Sequence, residues 1–163
     1  LEQAESKAFL NKGLKIGVSG ISEKKEFQYH NGIQDYIEKV IGKRPTLSDK
    51  PFYIEKDDKK MRLETTFQWT SGTETIVHSY ANAIKTVDGG SHETGFRNGT
   101  TKALRSYIER RKLLPKSINN ITGDDVREGL IAIGFEDDEI IELRDRDNLD
   151  LDEDIDMDQI SRI

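Results

Sequence analysis

Two periods organise the apolar positions of this chain, one of two residues and one near three and a half, and the switches between them mark its elements. Leu14 to Val18 is short and apolar, and Glu26 to His30 sets Phe27 and Tyr29 on one side, so the two stretches pair as strands across Ser19 to Lys25. Ile33, Tyr36, Ile37, Val40 and Ile41 then fall at i, i+3, i+4, i+7 and i+8, one stripe of an amphipathic helix with Asn31 as its expected N-cap and Gly42 as its stop. Pro51 to Ile54 reads as extended. From Met61 to Trp69 the odd positions Met61, Leu63, Thr65, Phe67 and Trp69 oppose Arg62, Glu64, Thr66 and Gln68, which predicts a half-buried strand with a wet back. Asp57 to Lys60 turn into it, and Ser71 and Gly72 turn out of it toward a β-branched run from Thr75 to Tyr80. An antiparallel meander is the expected result.

After Gly89 and Gly90, the positions Phe96, Gly99, Thr100, Ala103, Leu104, Tyr107 and Ile108 repeat at three and four, opposite Lys102, Arg105, Glu109 and Lys112. This predicts a long helix ending before Pro115, with Phe96, Leu104 and Ile108 buried against the sheet that carries Phe67 and Trp69. On that reading Leu104→Ala opens a cavity costing roughly 2–5 kcal/mol. A short helix is expected from Thr122, whose hydroxyl can cap it while Asp124 and Asp125 suit its first turn. Gly129 closes it, and Leu130 to Ile133, apolar at every position, reads as a buried strand.

Composition adds two things to this pattern. The 163 residues suit one domain with an appended segment, and no apolar run is long enough to span a bilayer, so no membrane partner is expected and the cytoplasm is the expected location. The chain begins at Leu1 without an initiator methionine, which favours a piece of something larger. With no cysteine, disulfides, thiolate nucleophiles and thiolate metal sites are excluded. The net charge of -6 conceals an asymmetry: residues 1 to 134 carry 22 Lys and Arg against 18 Asp and Glu, whereas residues 135 to 163 carry 3 against 13. A mildly basic body of charge +4 therefore precedes a segment of charge -10.

Candidate chemistry is sparse. Gly89 and Gly90 read first as turn glycines with positive φ and close packing, ahead of a nucleotide or DNA contact. His92 reads as a hydrogen-bonding residue at a helix start rather than a general base, and it shares no ligand spacing with His30 or His78, so no metal site is proposed. In the acidic segment, Asp150, Asp152, Asp154, Asp156 and Asp158 alternate with mostly apolar residues. No glycine stands at the sixth position and no glutamate at the twelfth of any candidate loop, so a calcium loop does not fit. Acidic and apolar alternation suits an interaction tail, or one that imitates DNA's charge by docking on a basic groove.

Three strings, in order, carry a resemblance: Phe9-Leu10-Asn11-Lys12-Gly13-Leu14, then Gly89-Gly90-Ser91-His92-Glu93-Thr94-Gly95-Phe96-Arg97 opening a long helix, then Thr122-Gly123-Asp124-Asp125-Val126-Arg127-Glu128-Gly129-Leu130. Ser79 to Thr86 adds to them. From about Ala8 to Gly134 the chain resembles the second, transducer domain of the B subunits of bacterial type IIA DNA topoisomerases, gyrase and topoisomerase IV, with Leu114-Pro115-Lys116 leaning slightly to the latter.

The resemblance implies an α+β fold of the ribosomal protein S5 domain 2 type, a mostly antiparallel sheet with helices packed on one side. It divides the chain into a linker or helix end from a preceding ATPase domain (1–13), the transducer domain (14–134) and an acidic C-terminal segment (135–163). It implies part of an ATP-hydrolysing enzyme in which ATP-driven closure of a dimer is coupled to DNA strand passage, the part itself being inactive alone. ATP and Mg2+ belong to other domains of the parent enzyme, and none is expected here. Implied partners are the transported DNA duplex, the A subunit and a second B subunit. Gly89, Gly90, His92 and Gly95 form the family-motif loop, and Arg97, Lys102, Arg105, Arg110, Arg111 and Lys112 are the candidates to face DNA, or else a solvated face with ion pairs such as Arg105 with Glu109.

One family feature is missing. The family's Gln-Thr-Lys loop, whose lysine reaches the γ-phosphate of ATP, has no counterpart, and no lysine follows Lys116. No catalytic or cofactor-binding residue is therefore assigned. The absence favours an alternative: a standalone interaction module with a transducer-like fold, whose acidic tail docks on a basic or DNA-binding surface.

Overall fold

The computed structural model describes residues 1–19, 24–57, 61–115, 118 and 120–138. The elements in chain order are α1 (Glu2–Leu10), β1 (Ile16–Ser19), β2 (Lys24–Phe27), α2 (Ile33–Ile41), β3 (Phe52–Asp57), β4 (Met61–Trp69), β5 (Ile76–Ala81), β6 (Ile84–Lys85), α3 (Ser91–Arg111), α4 (Gly123–Arg127) and β7 (Leu130–Asp138). The mixed α+β class and the antiparallel-dominant sheet hold. The strands β1 and β2 pair antiparallel, Ile16 opposite Phe27, as a separate two-stranded unit.

The main sheet has the order β3-β4-β7-β5-β6, which corrects the expected meander. Strand β5 does not return along β4; β7 inserts between them, antiparallel to β4 and parallel to β5. A run that is apolar on both faces is favoured where both faces are covered, so Leu130 to Ile133 takes the centre. A parallel pair needs a crossover, and α3 with α4 supply it between β5 and β7. The same strand outruns its apolar residues: its pairing with β4 continues through Asp138 opposite Met61, past the boundary expected at 134. The remainder of the acidic segment, 139–163, lies outside the described residues, as do residues 58–60 of the turn before β4.

Helices meet this sheet from both faces rather than one. On the first face Ile33, Ile37 and Ile41 of α2 and Leu10 of α1 pack with Tyr80, Ile131 and Ile133. On the second, Phe67, Leu130 and Ala132 pack with Trp69, Phe52 and Phe96 of α3. The crossover helix has to lie opposite α2 because α2 already fills the first face. Residues 1–13, read as a linker or helix end, join this core: Phe9 is buried and stacks on Tyr29 and Tyr36, with ring centroids 3.6 and 4.6 Å apart.

The wet back expected for β4 is also corrected. Glu64, Thr66 and Gln68 are all buried, because β4 lies between two strands and its even face lies on the α2 side. Their polar groups are satisfied locally, Thr66 by the Phe52 carbonyl at 2.8 Å and Gln68 by the Ser48 carbonyl at 2.6 Å. At the start of α2 the N-cap is Gly32, with φ of 61°, not Asn31. Asn31 instead donates to the Asp35 carboxylate from both its backbone N–H and its side-chain amide, at 3.0 and 2.9 Å. Thr122 and Asp125 close a reciprocal capping box at α4, as their spacing predicts.

Candidate functional site

The family-motif loop brings together groups from three elements. Glu93, in the first turn of α3, accepts a hydrogen bond from Ser79 of β5 at 2.9 Å and two from Arg97, one turn along, at 2.9 and 2.7 Å. Burial would raise the Glu93 carboxyl, but these bonds outweigh it and hold it below the usual carboxylate range. His92 stands between Thr86, 3.4 Å from its Nε2, and the buried Glu136 of β7, 3.6 Å from its Nδ1. The histidine thus works at the helix start as a polar strut between β5–β6 and β7. Four chain segments converge on one polar patch beside the Phe67–Phe96 contact, where the rings meet at 5.5 Å.

The loop glycines differ in their reasons. Gly89 has φ of 72°, a left-handed conformation that glycine adopts cheaply. Gly90 is extended, and its requirement is space: a Cβ there would lie 2.8 Å from the His92 ring. Gly95 has neither constraint, with nothing within 4 Å of an added Cβ.

The six basic candidates do not form one face. At about 100° per residue, Arg97, Arg105 and Lys112 fall within about 80° of each other, with Lys102 beyond them on one side, Arg111 about 40° from Arg97 on the other, and Arg110 on the opposite side of α3. Several are engaged within the chain. Arg97 holds Glu93, Arg105 donates to the Ile121 carbonyl at 2.8 Å rather than pairing with Glu109, and Arg111 lies over the Tyr107 ring at 5.7 Å. Lys102, Arg110, Arg111 and Lys112 are exposed. A shallow depression of about 370 Å³ runs beside Lys102 and Arg105, lined also by Asn98, Thr101, Ser106 and Glu109.

Leu104 and Ile108 are half-buried, and no residue of α3 is buried. The expectation of a fully buried Leu104 is therefore wrong, while Phe96 does reach the sheet. The reason lies in the crossover. Its first turns seat on the sheet, and its chief neighbour thereafter is the five-residue α4, too short to cover a 21-residue helix.

A second polar cluster was not foreseen. Glu64, 1% exposed, lies 3.0 Å from Lys12, 3.3 Å from Arg62 and 2.9 Å from the Tyr53 hydroxyl. The Tyr53 hydroxyl lies 2.7 Å from Glu55, which Arg62 and Lys12 also approach at 3.1 and 3.3 Å. Burial alone would lower the Lys12 ammonium, but its bonds to Tyr53 and Glu64 carry it well above the ordinary lysine value. The hydrogen bond from Tyr53 chiefly depresses the Glu55 carboxyl. The one signal available in the sequence was Lys12, inside the string Phe9 to Leu14. On the same sheet face the Tyr36 hydroxyl lies 3.0 Å from both His78 Nδ1 and the Tyr80 hydroxyl.

Among the described residues no group of three or more His, Asp or Glu side chains is placed to hold a metal ion, and no helix is long and apolar enough to cross a membrane. What the site can do chemically is mechanical: its polar contacts fix the first turns of a long helix to strands β5 and β7 of the sheet.

The DNA gyrase B family profile matches residues 32–134. The chain is 40% identical over 129 residues to the B subunit of DNA gyrase from Halalkalibacterium halodurans, and 36% identical over 130 residues to that of Enterococcus faecalis. Each match covers 77% of this chain and 20% of the relative, so the chain spans about a fifth of the length of these relatives. Its fold is similar to that of the 43K ATPase domain of Thermus thermophilus gyrase B, with a TM-score of 0.72, 28% identity, and 83% of this chain against 38% of that one covered. It is also similar to the topoisomerase IV ATP-binding domain of Francisella tularensis, with a TM-score of 0.68, 27% identity, and 89% against 39% covered. With more than half its length inside the family profile and its helix-opening motif built into the sheet, the chain belongs to the DNA gyrase B family.

Proposed function

We propose that this chain is the transducer domain of a type IIA topoisomerase B subunit, carrying ATP-driven dimer closure toward DNA strand passage. The observation that supports it is the clamped start of α3. Ser79, Glu93 and Arg97, with Phe96 seated on Phe67, join helix and sheet into one rigid element of the kind through which a coupling free energy can pass between distant sites. In this reading ATP and Mg2+ are held by other domains, the partners are the A subunit and a second B subunit in the cytoplasm, and the exposed Lys102, Arg110, Arg111 and Lys112 meet the transported duplex through its phosphates.

The test is a chimera in which residues 8–134 replace the aligned segment of the Halalkalibacterium halodurans protein, assayed with the matching A subunit. ATP hydrolysis together with ATP-dependent strand passage supports the reading; hydrolysis without strand passage overturns it. The second reading, an interaction module with this fold, draws on one observation, the missing Gln-Thr-Lys string. It expects the chimera to hydrolyse without passage.

A further inference from the structure

The chain holds two Asn-Gly pairs, Asn31–Gly32 and Asn98–Gly99, and in both the asparagine is exposed. This dipeptide is chemically labile, because glycine has no Cβ to keep its backbone nitrogen from the preceding side chain. The fold treats the two pairs differently. Asn98 stands well inside α3, where the nitrogen of Gly99 belongs to a continuous helical ladder. Asn31 stands outside α2, at a bend before Gly32, and helix ends open at a far lower free energy than helix interiors. One neighbour restrains it there: Asp35 accepts from the Asn31 backbone N–H at 3.0 Å and from its side-chain amide at 2.9 Å.

We infer that Asn31–Gly32 is a modification site, deamidating in the folded chain at a rate that Asp35 sets. The Gly32 nitrogen attacks Cγ of Asn31 and gives up its proton; the Cγ–Nδ2 bond breaks, and the side-chain nitrogen leaves as ammonia. Water then opens the succinimide at one of its two carbonyls, leaving aspartate or isoaspartate at position 31. To reach Gly32 the side chain has to turn out of its place, which breaks the charge-assisted bond from Nδ2 to Asp35. Either product disturbs the entry to α2. Aspartate sets a second carboxylate against Asp35 where the amide had donated, and like charges so close repel. Isoaspartate lengthens the main chain beside Gly32, which is buried and tightly packed: an added Cβ there would stand 2.6 Å from Lys12 Cγ and 3.2 Å from the Phe9 carbonyl oxygen. This goes beyond the coupling reading and does not depend on it.

The test incubates the full chain at mildly alkaline pH and follows it by peptide mapping. Trypsin puts the two asparagines on separate peptides, residues 26–39 and 98–102. Tandem mass spectrometry is expected to show acid accumulating at Asn31 ahead of Asn98, and more slowly in the folded chain than in urea. In Asp35→Ala the rate at Asn31 should rise roughly tenfold, the worth of one hydrogen bond to a charged group, with Asn98 unchanged. Circular dichroism reports whether the variant is folded, and Asp35→Asn, which keeps an acceptor without the charge, takes its place if it is not. Four results overturn the inference: Asn98 converting first, no conversion at Asn31 in either folded protein, equal Asn31 rates in the folded and unfolded chain, or an Asn31 rate that the loss of the Asp35 carboxylate leaves unchanged.

Discussion

Lys12 and Glu64 meet at 3.0 Å across a separation of 52 residues, and the carboxylate is almost wholly buried while the ammonium is about a third exposed. The pair ties the segment after α1 to strand β4. Removing Glu64 takes away the common partner of Lys12, Arg62 and Tyr53. Glu64→Ala is expected to lower the urea-unfolding free energy by roughly 1.5–3 kcal/mol, the worth of hydrogen bonds to a charged group, since the cations it leaves, Lys12 and Arg62, are each more than a third exposed. Lys12→Ala should cost clearly less, since solvent screens its exposed side and Arg62 remains beside Glu64.

The uneven cover of the two core elements gives a contrast within one experiment. Ile133, fully buried on β7, should lose about 2–5 kcal/mol on replacement by alanine. Leu104→Ala on the half-buried α3 should lose about 1 kcal/mol or less. Equal losses in chemical denaturation would mean that α3 is covered in solution.

Two glycines should respond with opposite signs. Gly129 has φ of +75°, and a Cβ there would stand 2.5 Å from the Thr70 carbonyl oxygen and 2.6 Å from that of Gly72. Gly129→Ala should destabilise by more than the roughly 1–2 kcal/mol of left-handed strain alone, because backbone must shift as well. Gly95→Ala, inside α3 with open space around it, should stabilise by roughly 0.5–1 kcal/mol. Thermal unfolding of the two variants checks both signs.

Burial, reinforced by the nearby Lys85 charge and opposed by Glu2, lowers the His78 imidazole below its ordinary 6.5. A group whose folded value is depressed binds more protons when unfolded, so its contribution is present above the unfolded value and is lost as pH falls through the folded one. The melting temperature should therefore decline below about pH 6.5, the ordinary histidine value, and decline less in His78→Phe. Identical profiles for the two proteins would remove His78 as the cause.

Nucleotide binding gives a further check. With no Walker-type glycine loop and no Gln-Thr-Lys string, the chain by itself is expected neither to bind nor to hydrolyse ATP. Calorimetry that detects micromolar binding would contradict this.

Elements whose signals are local were legible in the order of residues. The stripe Ile33 to Ile41, the odd face ending in Phe67 and Trp69, the Thr122–Asp125 cap and the three ordered strings are all written in neighbouring residues, and they fixed α2, β4, α4 and the family. The tertiary structure alone decided what depends on which element lies beside which. An alternating strand specifies two faces but not whether the polar one is wet, so the burial of Glu64 and Gln68 emerged only once β7 had displaced β5 from the side of β4. A helical stripe specifies a direction but not the length of its cover, so α3 was readable as a helix while its half-buried second half was not. The cluster around Glu64 draws on positions 12, 53, 55, 62 and 64, and the one around His92 on strands β5 and β7. Such contacts join residues far apart in the chain through sheet order, which no local period encodes.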